Sequence, residues 1–190
     1  MSTTDTNNLP VNMQQVMDEA DCLFSFAEVE KAIVQMANRI SSCLSDQNPV
    51  LISVMNGGLV LSGHLLTQLS FPLQVDYLHA TRYRNNTQGG QLDWRVRPSL
   101  DLHARTIIIV DDILDEGHTL QAIREYCLAQ GAASVYTAVL VDKMHQRKAE
   151  PGLKADFEGL KVADRFVFGF GMDYQGYWRN APGIFAVKGL

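Results

Sequence analysis

At 190 residues the chain is long enough for one domain with a sizeable core and a small appended lid. Apolar residues make up 46% and charged residues 19%, the balance of an ordinary soluble globular protein. A formal net charge of -5 argues against a general nucleic-acid binder, which carries a basic face, yet a local field can still hold a small anionic substrate.

Residues 1–10 read as a disordered tail closed by Pro10. Met1 to Asn8 is polar and has none of the apolar stretch of a secretory signal, and no apolar run approaches the length of a membrane span. Ser25 and Glu28 form a capping-box pattern, and Val29, Ile33, Met36, Ala37, Ile40 and Leu44 follow at helical spacing, so a helix is expected over Phe26 to Leu44. Asn48-Pro49 ends that region, and Val50 to Met55 is a short apolar run typical of a buried strand. Gly57-Gly58 breaks the run, and Leu61, Leu65, Leu66 and Leu69 mark a second helix.

Leu73 to Tyr83 is strand-like, with Val75, Tyr77 and His79 on one face. Arg84 to Arg97, with Asn85-Asn86, Gly89-Gly90 and alternating Leu92, Trp94 and Val96, reads as a long hairpin with a mobile tip, and residues 82–98 leave two readings open, a flexible lid and an exposed hairpin with no catalytic part. Thr106 to Val110 is the clearest buried strand; an acidic, glycine-containing turn follows it, then a helix from Thr119 to Gln130 closed by Gly131. Ser134 to Val141 is another strand, and short strands are expected near Phe166 to Phe168 and Ile184 to Val187. Alternating strands and helices imply an α/β fold with a mainly parallel sheet flanked by helices. Ligands of such sheets bind beyond the strands' carboxyl ends, here the turns after Met55, Val110, Val141 and Phe168. Cys22, Cys43 and Cys127 form no C-x-x-C pair and leave an odd count, so a reducing, cytoplasmic setting is the simpler reading.

The informative stretch runs from Ile107 to Leu120. A buried strand delivers Asp111 and Asp112 to the sheet's edge, and a tight turn leads into a helix start bearing Gly117 and Thr119. Unpaired amides at a helix start suit a phosphate, and the helix dipole favours its charge. Two carboxylates beside a phosphate repel it unless they serve ribose hydroxyls or a magnesium shell. The stretch therefore reads as a ribose 5-phosphate cradle. It is neither a Walker A loop nor a G-x-G-x-x-G turn. The bland alternative, a βα loop with aspartate as helix cap, suits Asp115 alone better than it suits the whole acidic cluster.

This stretch resembles the phosphoribosyl pyrophosphate motif of type I phosphoribosyltransferases. Three further motifs resemble that family's hypoxanthine-guanine branch: Val54-Met55-Asn56-Gly57-Gly58, Val141-Asp142-Lys143, and the segment from Asp164 through Arg179. The similarity runs from Val50 to Val187. It implies one phosphoribosyltransferase domain over residues 1–190, with a hairpin lid and a small hood, in which residues 150–190 form the purine-binding segment. It implies magnesium as cofactor, phosphoribosyl pyrophosphate and a 6-oxopurine as substrates, and a homodimer or homotetramer that binds neither nucleic acid nor membrane.

By resemblance, Asp115 faces purine N7 and takes or shares its proton, while Asp115, Glu116, Gly117, His118 and Thr119 hold the 5-phosphate. Asp111 and Asp112 would attend the ribose or metal, and Asp173 the magnesium. Asn56, Gly57, Arg82, Tyr83 and Arg179 would hold pyrophosphate. Lys143 would donate to purine O6, which disfavours adenine, whose amino group is itself a donor. Phe166 would stack on the base and Val167 read its edge, against core packing as the alternative for both. The resemblance also implies a cis peptide at Met55-Asn56.

The chain departs from the family pattern in several places. Asn56 stands where many relatives carry a basic residue, and Arg82 where they often have serine. Glu116 and His118 occupy positions that are often threonine and lysine, so the Glu116 side chain is expected to turn from the phosphate. His64, His79, His103 and His145 show no metal-site spacing. Lys143 says little about the purine 2-position, which leaves a xanthine/guanine-preferring enzyme open. A nucleotide-sensing RNA-binding regulator of the same fold would want a basic, aromatic-bearing face, and none is visible.

Overall fold

The computed structural model describes residues 13–82 and 92–189. The expected tail over residues 1–10 and the tip of the hairpin lie outside the described residues. In chain order come α1 (Met13–Glu19), β1 (Asp21–Ser25), α2 (Phe26–Leu44), β2 (Val50–Val54), α3 (Gly58–Leu66), β3 (Gln74–Arg82) and β4 (Leu92–Val96). They are followed by β5 (Thr106–Leu114), α4 (His118–Ala129), β6 (Ser134–Met144), β7 (Phe157–Ala163), β8 (Val167–Phe168) and β9 (Gly183–Ala186).

Six strands form one sheet in the order β4-β3-β2-β5-β6-β7. All neighbours are parallel except β4, which runs antiparallel at the edge beside β3. From β2 the chain steps outward to β3 on one side, and from β5 it steps outward to β6 and β7 on the other. The direction of winding reverses between β2 and β5, so a crevice opens at their carboxyl ends.

Helices cover both faces of this sheet, which is why β2 and the Ile107–Val110 part of β5 are near-continuous apolar runs. Ile108 and Val110 of β5 pack with Val29, Ile33, Met36 and Ile40 of α2 and Leu61 and Leu65 of α3. Ile107 and Ile109 face the opposite way, onto Leu120, Ile123 and Cys127 of α4. The alternation of side chains along β5 thus builds two cores from one strand. The capping box of α2 forms as expected, the Ser25 amide donating to the Glu28 carboxylate at 2.9 Å.

Several elements differ from the sequence reading. The strand that carries the acidic pair does not stop at Val110: β5 stays paired with β6 through Leu114, opposite Asp142, so Asp111 and Asp112 lie on the strand rather than in the turn. Helix α3 ends at Leu66 and leaves Leu69 beyond it. On β3 the face bearing Val75 and Tyr77 is the exposed one, while Leu78 and Ala80 are buried. Strand β7 was not expected. Its Glu158 and Lys161 give it no apolar run, and it takes the sheet's edge beside β6.

A second sheet, ordered β1-β9-β8 and antiparallel, forms a small hood. Its anchor is Phe168, fully buried and stacked on Phe185 with ring centroids 5.7 Å apart. Packing at Phe168 fixes Phe166 and Val167 at the rim of the crevice.

Candidate active site

The crevice between β2 and β5 is a cleft of about 600 Å³, and it gathers residues from well-separated stretches of sequence. The turn after β2 contributes Asn56 and Gly57, and β5 contributes Asp111 and Asp112. The loop into α4 contributes Asp115 through Thr119, and the end of β6 contributes Lys143. Phe166, Val167, Asp173 and Arg179 close it from the hood side. Every site residue expected from the sequence whose side chain is described lines this cleft. Arg82 ends β3, but its side chain lies outside the described residues, as does all of Tyr83.

The loop is shaped for an anion. Gly117 is the N-cap of α4 with φ 88°, a left-handed conformation that any other residue would hold under strain. A Cβ there would also come within 2.4 Å of Leu153. The Gly117 carbonyl accepts the Gln121 amide at 2.9 Å, so the helix begins at once and its first amides face the cleft unpaired. Glu116 and His118 lie 3.7 Å apart, and both line the cleft. The Met55-Asn56 peptide is cis. The following Gly57 backs directly onto Asp112, whose carboxylate oxygen would lie 2.3 Å from an added Cβ.

Asp115 is not a helix cap. Register explains its surroundings: Leu114 pairs with Asp142 across β5 and β6, so the next residues lie side by side, Asp115 just past the end of β5 and Lys143 one residue before the end of β6. Lys143 Nζ donates to Asp115 Oδ2 at 3.0 Å, and His145 Nε2 lies 2.6 Å from Oδ1. Partial burial pushes the Asp115 carboxyl up, but the bonds and charges of Lys143 and His145 outweigh it and hold the group below the ordinary carboxylate range. Lys143 is correspondingly not a solvated strand-end lysine, since its side chain is 11% exposed. His145 was missed in the sequence because only metal spacing was sought among the histidines, and no local pattern ties it to a residue thirty positions away.

Behind the loop a buried ion pair fixes its height. Lys148 donates to Asp142 at 2.7 Å and to the Leu114 carbonyl at 2.8 Å, while the Ala149 amide donates to the Glu116 carbonyl at 2.7 Å. Phe166 is 45% exposed and meets Tyr174 edge-on at 5.6 Å, so its core-packing alternative fails; Val167 is buried and belongs both to the core and to the cleft wall.

The acidic side of the cleft is under-neutralised. Enclosure by the surrounding protein drives the Asp111 carboxyl well above the ordinary range, and the Asp112 charge adds to it. Burial raises Asp112 as well, with Arg179 at 3.8 Å as a partial offset. Arg179 also donates to the Gly171 carbonyl at 2.6 Å and to Asp173, whose other oxygen accepts the Gly176 amide at 2.7 Å. Hard carboxylate oxygens that the protein leaves short of positive charge fit magnesium, which takes one or two carboxylates and completes its shell with substrate oxygens.

A family model described as the phosphoribosyl transferase domain matches residues 23–175. The chain belongs to that family. This phosphoribosyltransferase is 33% identical over 169 residues to the hypoxanthine-guanine phosphoribosyltransferase of Bacillus subtilis, an alignment covering 87% of this chain and 92% of that protein. A hypoxanthine-guanine-xanthine phosphoribosyltransferase of Tritrichomonas foetus is 28% identical over 174 residues, 91% of this chain and 94% of that one. A crystal structure of a hypoxanthine phosphoribosyltransferase from Staphylococcus aureus matches with a TM-score of 0.85 at 23% identity, over 94% of this chain and 96% of that one, a likeness of fold. The six-stranded sheet and three-stranded hood of this phosphoribosyltransferase are thus the fold the resemblance implied.

Proposed function

We propose that this phosphoribosyltransferase is a purine salvage enzyme that moves the 5-phosphoribosyl group from phosphoribosyl pyrophosphate to N9 of hypoxanthine or guanine, releasing IMP or GMP and pyrophosphate. The observation that carries this reading is the Asp115–Lys143 pair, 3.0 Å apart at the mouth of a phosphate loop. A carboxylate acceptor beside an ammonium donor matches N7–H beside O6 on a 6-oxopurine; adenine would set a donor against Lys143.

The 5-phosphate would sit on the amides of the Glu116–Thr119 loop, and the ribose hydroxyls near Asp111 and Asp112. Phe166, exposed at the rim, would stack on the base, with the Val167 backbone beside its edge. Asn56, Gly57 and Arg179 would hold the pyrophosphate, Arg179 through its planar fork of donors. Bond formation from N9 to the anomeric carbon accompanies loss of pyrophosphate through an oxocarbenium-like state, and Asp115 takes up the N7 proton. Magnesium, when bound by Asp173 with Asp111 and Asp112 nearby, supplies positive charge to the departing pyrophosphate.

Val75 and Tyr77, about half exposed on β3, offer an apolar patch for self-association, and a homodimer or homotetramer is the assembly we expect. Cys22, Cys43 and Cys127 are free thiols, and no described helix is long and apolar enough to cross a membrane; a cytoplasmic setting fits the thiols.

The test is to incubate the purified protein with phosphoribosyl pyrophosphate and magnesium, offering hypoxanthine, guanine, xanthine and adenine separately. Conversion of hypoxanthine and guanine with adenine inert is the expected result. Preference for xanthine would keep the mechanism and move the specificity. No turnover of any purine would overturn the enzymatic reading.

A further inference from the structure

The mechanism leaves a buried titratable group beside Asp115 without a task. The His145 ring is only 3% exposed, and it touches Asp115 on the oxygen opposite Lys143. Its tautomer is set by its own segment. The Arg147 amide donates to Nδ1 at 3.0 Å, so Nδ1 carries a lone pair and the ring proton sits on Nε2. That proton is donated to Asp115 Oδ1 over 2.6 Å, a short charge-assisted bond.

The segment that carries His145 is tied down beyond it. Lys148 reaches Asp142 and the Leu114 carbonyl, and Arg147 makes a paired contact with Asp164 at 2.6 and 3.0 Å. The Ala149 amide holds the Glu116 carbonyl, next to Asp115 itself. His145 therefore approaches Asp115 from a fixed platform and not from a loose side chain.

Entry of a base changes one of these contacts and not the other. Lys143 occupies Oδ2 in the free protein, and the proposed chemistry needs Lys143 at purine O6 and a free carboxylate oxygen at N7. The base must therefore take over Oδ2 as Lys143 leaves it, while the bond from His145 to Oδ1 persists. We propose that His145 is a positioning residue for Asp115: its Nε2–H holds Oδ1 so that Oδ2 stays aimed at the purine when Lys143 has moved away. The proposal rests on the reading of Asp115 as the group that faces N7.

Two substitutions in the full-length chain separate the two ends of the ring. In His145→Asn the amide oxygen takes the place of Nδ1 and keeps the Arg147 contact, but the side chain is too short to reach Asp115. In His145→Gln the amide nitrogen takes the place of Nε2 and restores that reach. Expected is a kcat about 10- to 100-fold lower for the Asn variant, the worth of one hydrogen bond to a charged group. The Gln variant should recover most of that loss, with KM for phosphoribosyl pyrophosphate and the melting temperature alike in both. An Asn variant as active as the parent overturns the proposal, and so do equal losses in both variants, which would mark a merely structural histidine. Parent protein and Asp115→Asn are assayed alongside. If the parent transfers no purine, or Asp115→Asn matches it, the reading of Asp115 has failed and the role of His145 falls with it.

Discussion

Replacing Lys143 with methionine separates recognition from folding, because the lysine's two tasks have different weights. Its contact with Asp115 is half in solvent, Asp115 being 45% exposed, so losing it should cost stability only about 0–1 kcal/mol. For a chain of this length that is a fall in melting temperature of no more than about 4 °C. On the proposed reading the ammonium donates to purine O6, a charged hydrogen bond worth about 1.5–3 kcal/mol. At about 1.4 kcal/mol per factor of ten, kcat/KM for hypoxanthine should drop about 10- to 150-fold. Adenine should lose nothing, since the donor that opposed its amino group has gone. Steady-state nucleotide formation with both bases, parent against variant, gives the ratio directly. A hypoxanthine-to-adenine preference that survives the substitution within about threefold would refute Lys143 as the O6 reader.

Three further outcomes follow from the same geometry. Lys148→Met strands the buried Asp142 carboxylate and should destabilise by about 3–5 kcal/mol, a loss of roughly 6–20 °C in thermal unfolding; adding Asp142→Leu should restore most of it, and a single variant melting with the parent would contradict the brace. Gly57→Ala sets a methyl against the Asp112 carboxylate, 2.3 Å away, and should raise KM for phosphoribosyl pyrophosphate about tenfold, read in initial-rate kinetics. The folded Asp115 carboxyl lies below its unfolded value of about 3.9, so its contribution to stability is complete above that pH and is lost as pH falls through the lower folded value. The acid limb of a kcat/KM profile governed by Asp115 should therefore lie below about pH 3.9 in the parent and move upward in Lys143→Met.

Much of the fold was legible because the apolar patterns were uninterrupted. Helix α2 begins and ends where its capping box and spacing say, and β2 and the Ile107–Val110 part of β5 show the near-continuous apolar runs of strands covered on both faces. The reading failed where charge sits on a strand. Asp111 and Asp112 look like turn formers, yet pairing of β5 with β6 carries the ladder through them to Leu114. Glu158 and Lys161 hid β7 in the same way, since only Phe157 and Val162 of that strand are buried and the rest of it is part-exposed or exposed. At the site, the phosphate loop could be argued from residue types alone, and Asp115 and Lys143 needed the family resemblance. What brings those two together is strand register, a property of the sheet that no spacing of 28 residues announces. His145 escaped for the same reason, its partner Asp115 being across the sheet and not along the chain, and so did the bond from Lys148 to the Leu114 carbonyl.

The most direct test of the account is the rate of Asp115→Asn with saturating phosphoribosyl pyrophosphate, magnesium and hypoxanthine. Asparagine keeps the size of the side chain and removes the charge that the proposed reaction needs to accept the N7 proton. The account predicts a kcat lower by about 100-fold or more, with KM for phosphoribosyl pyrophosphate little changed. An asparagine variant that turns over at the parent rate would contradict it.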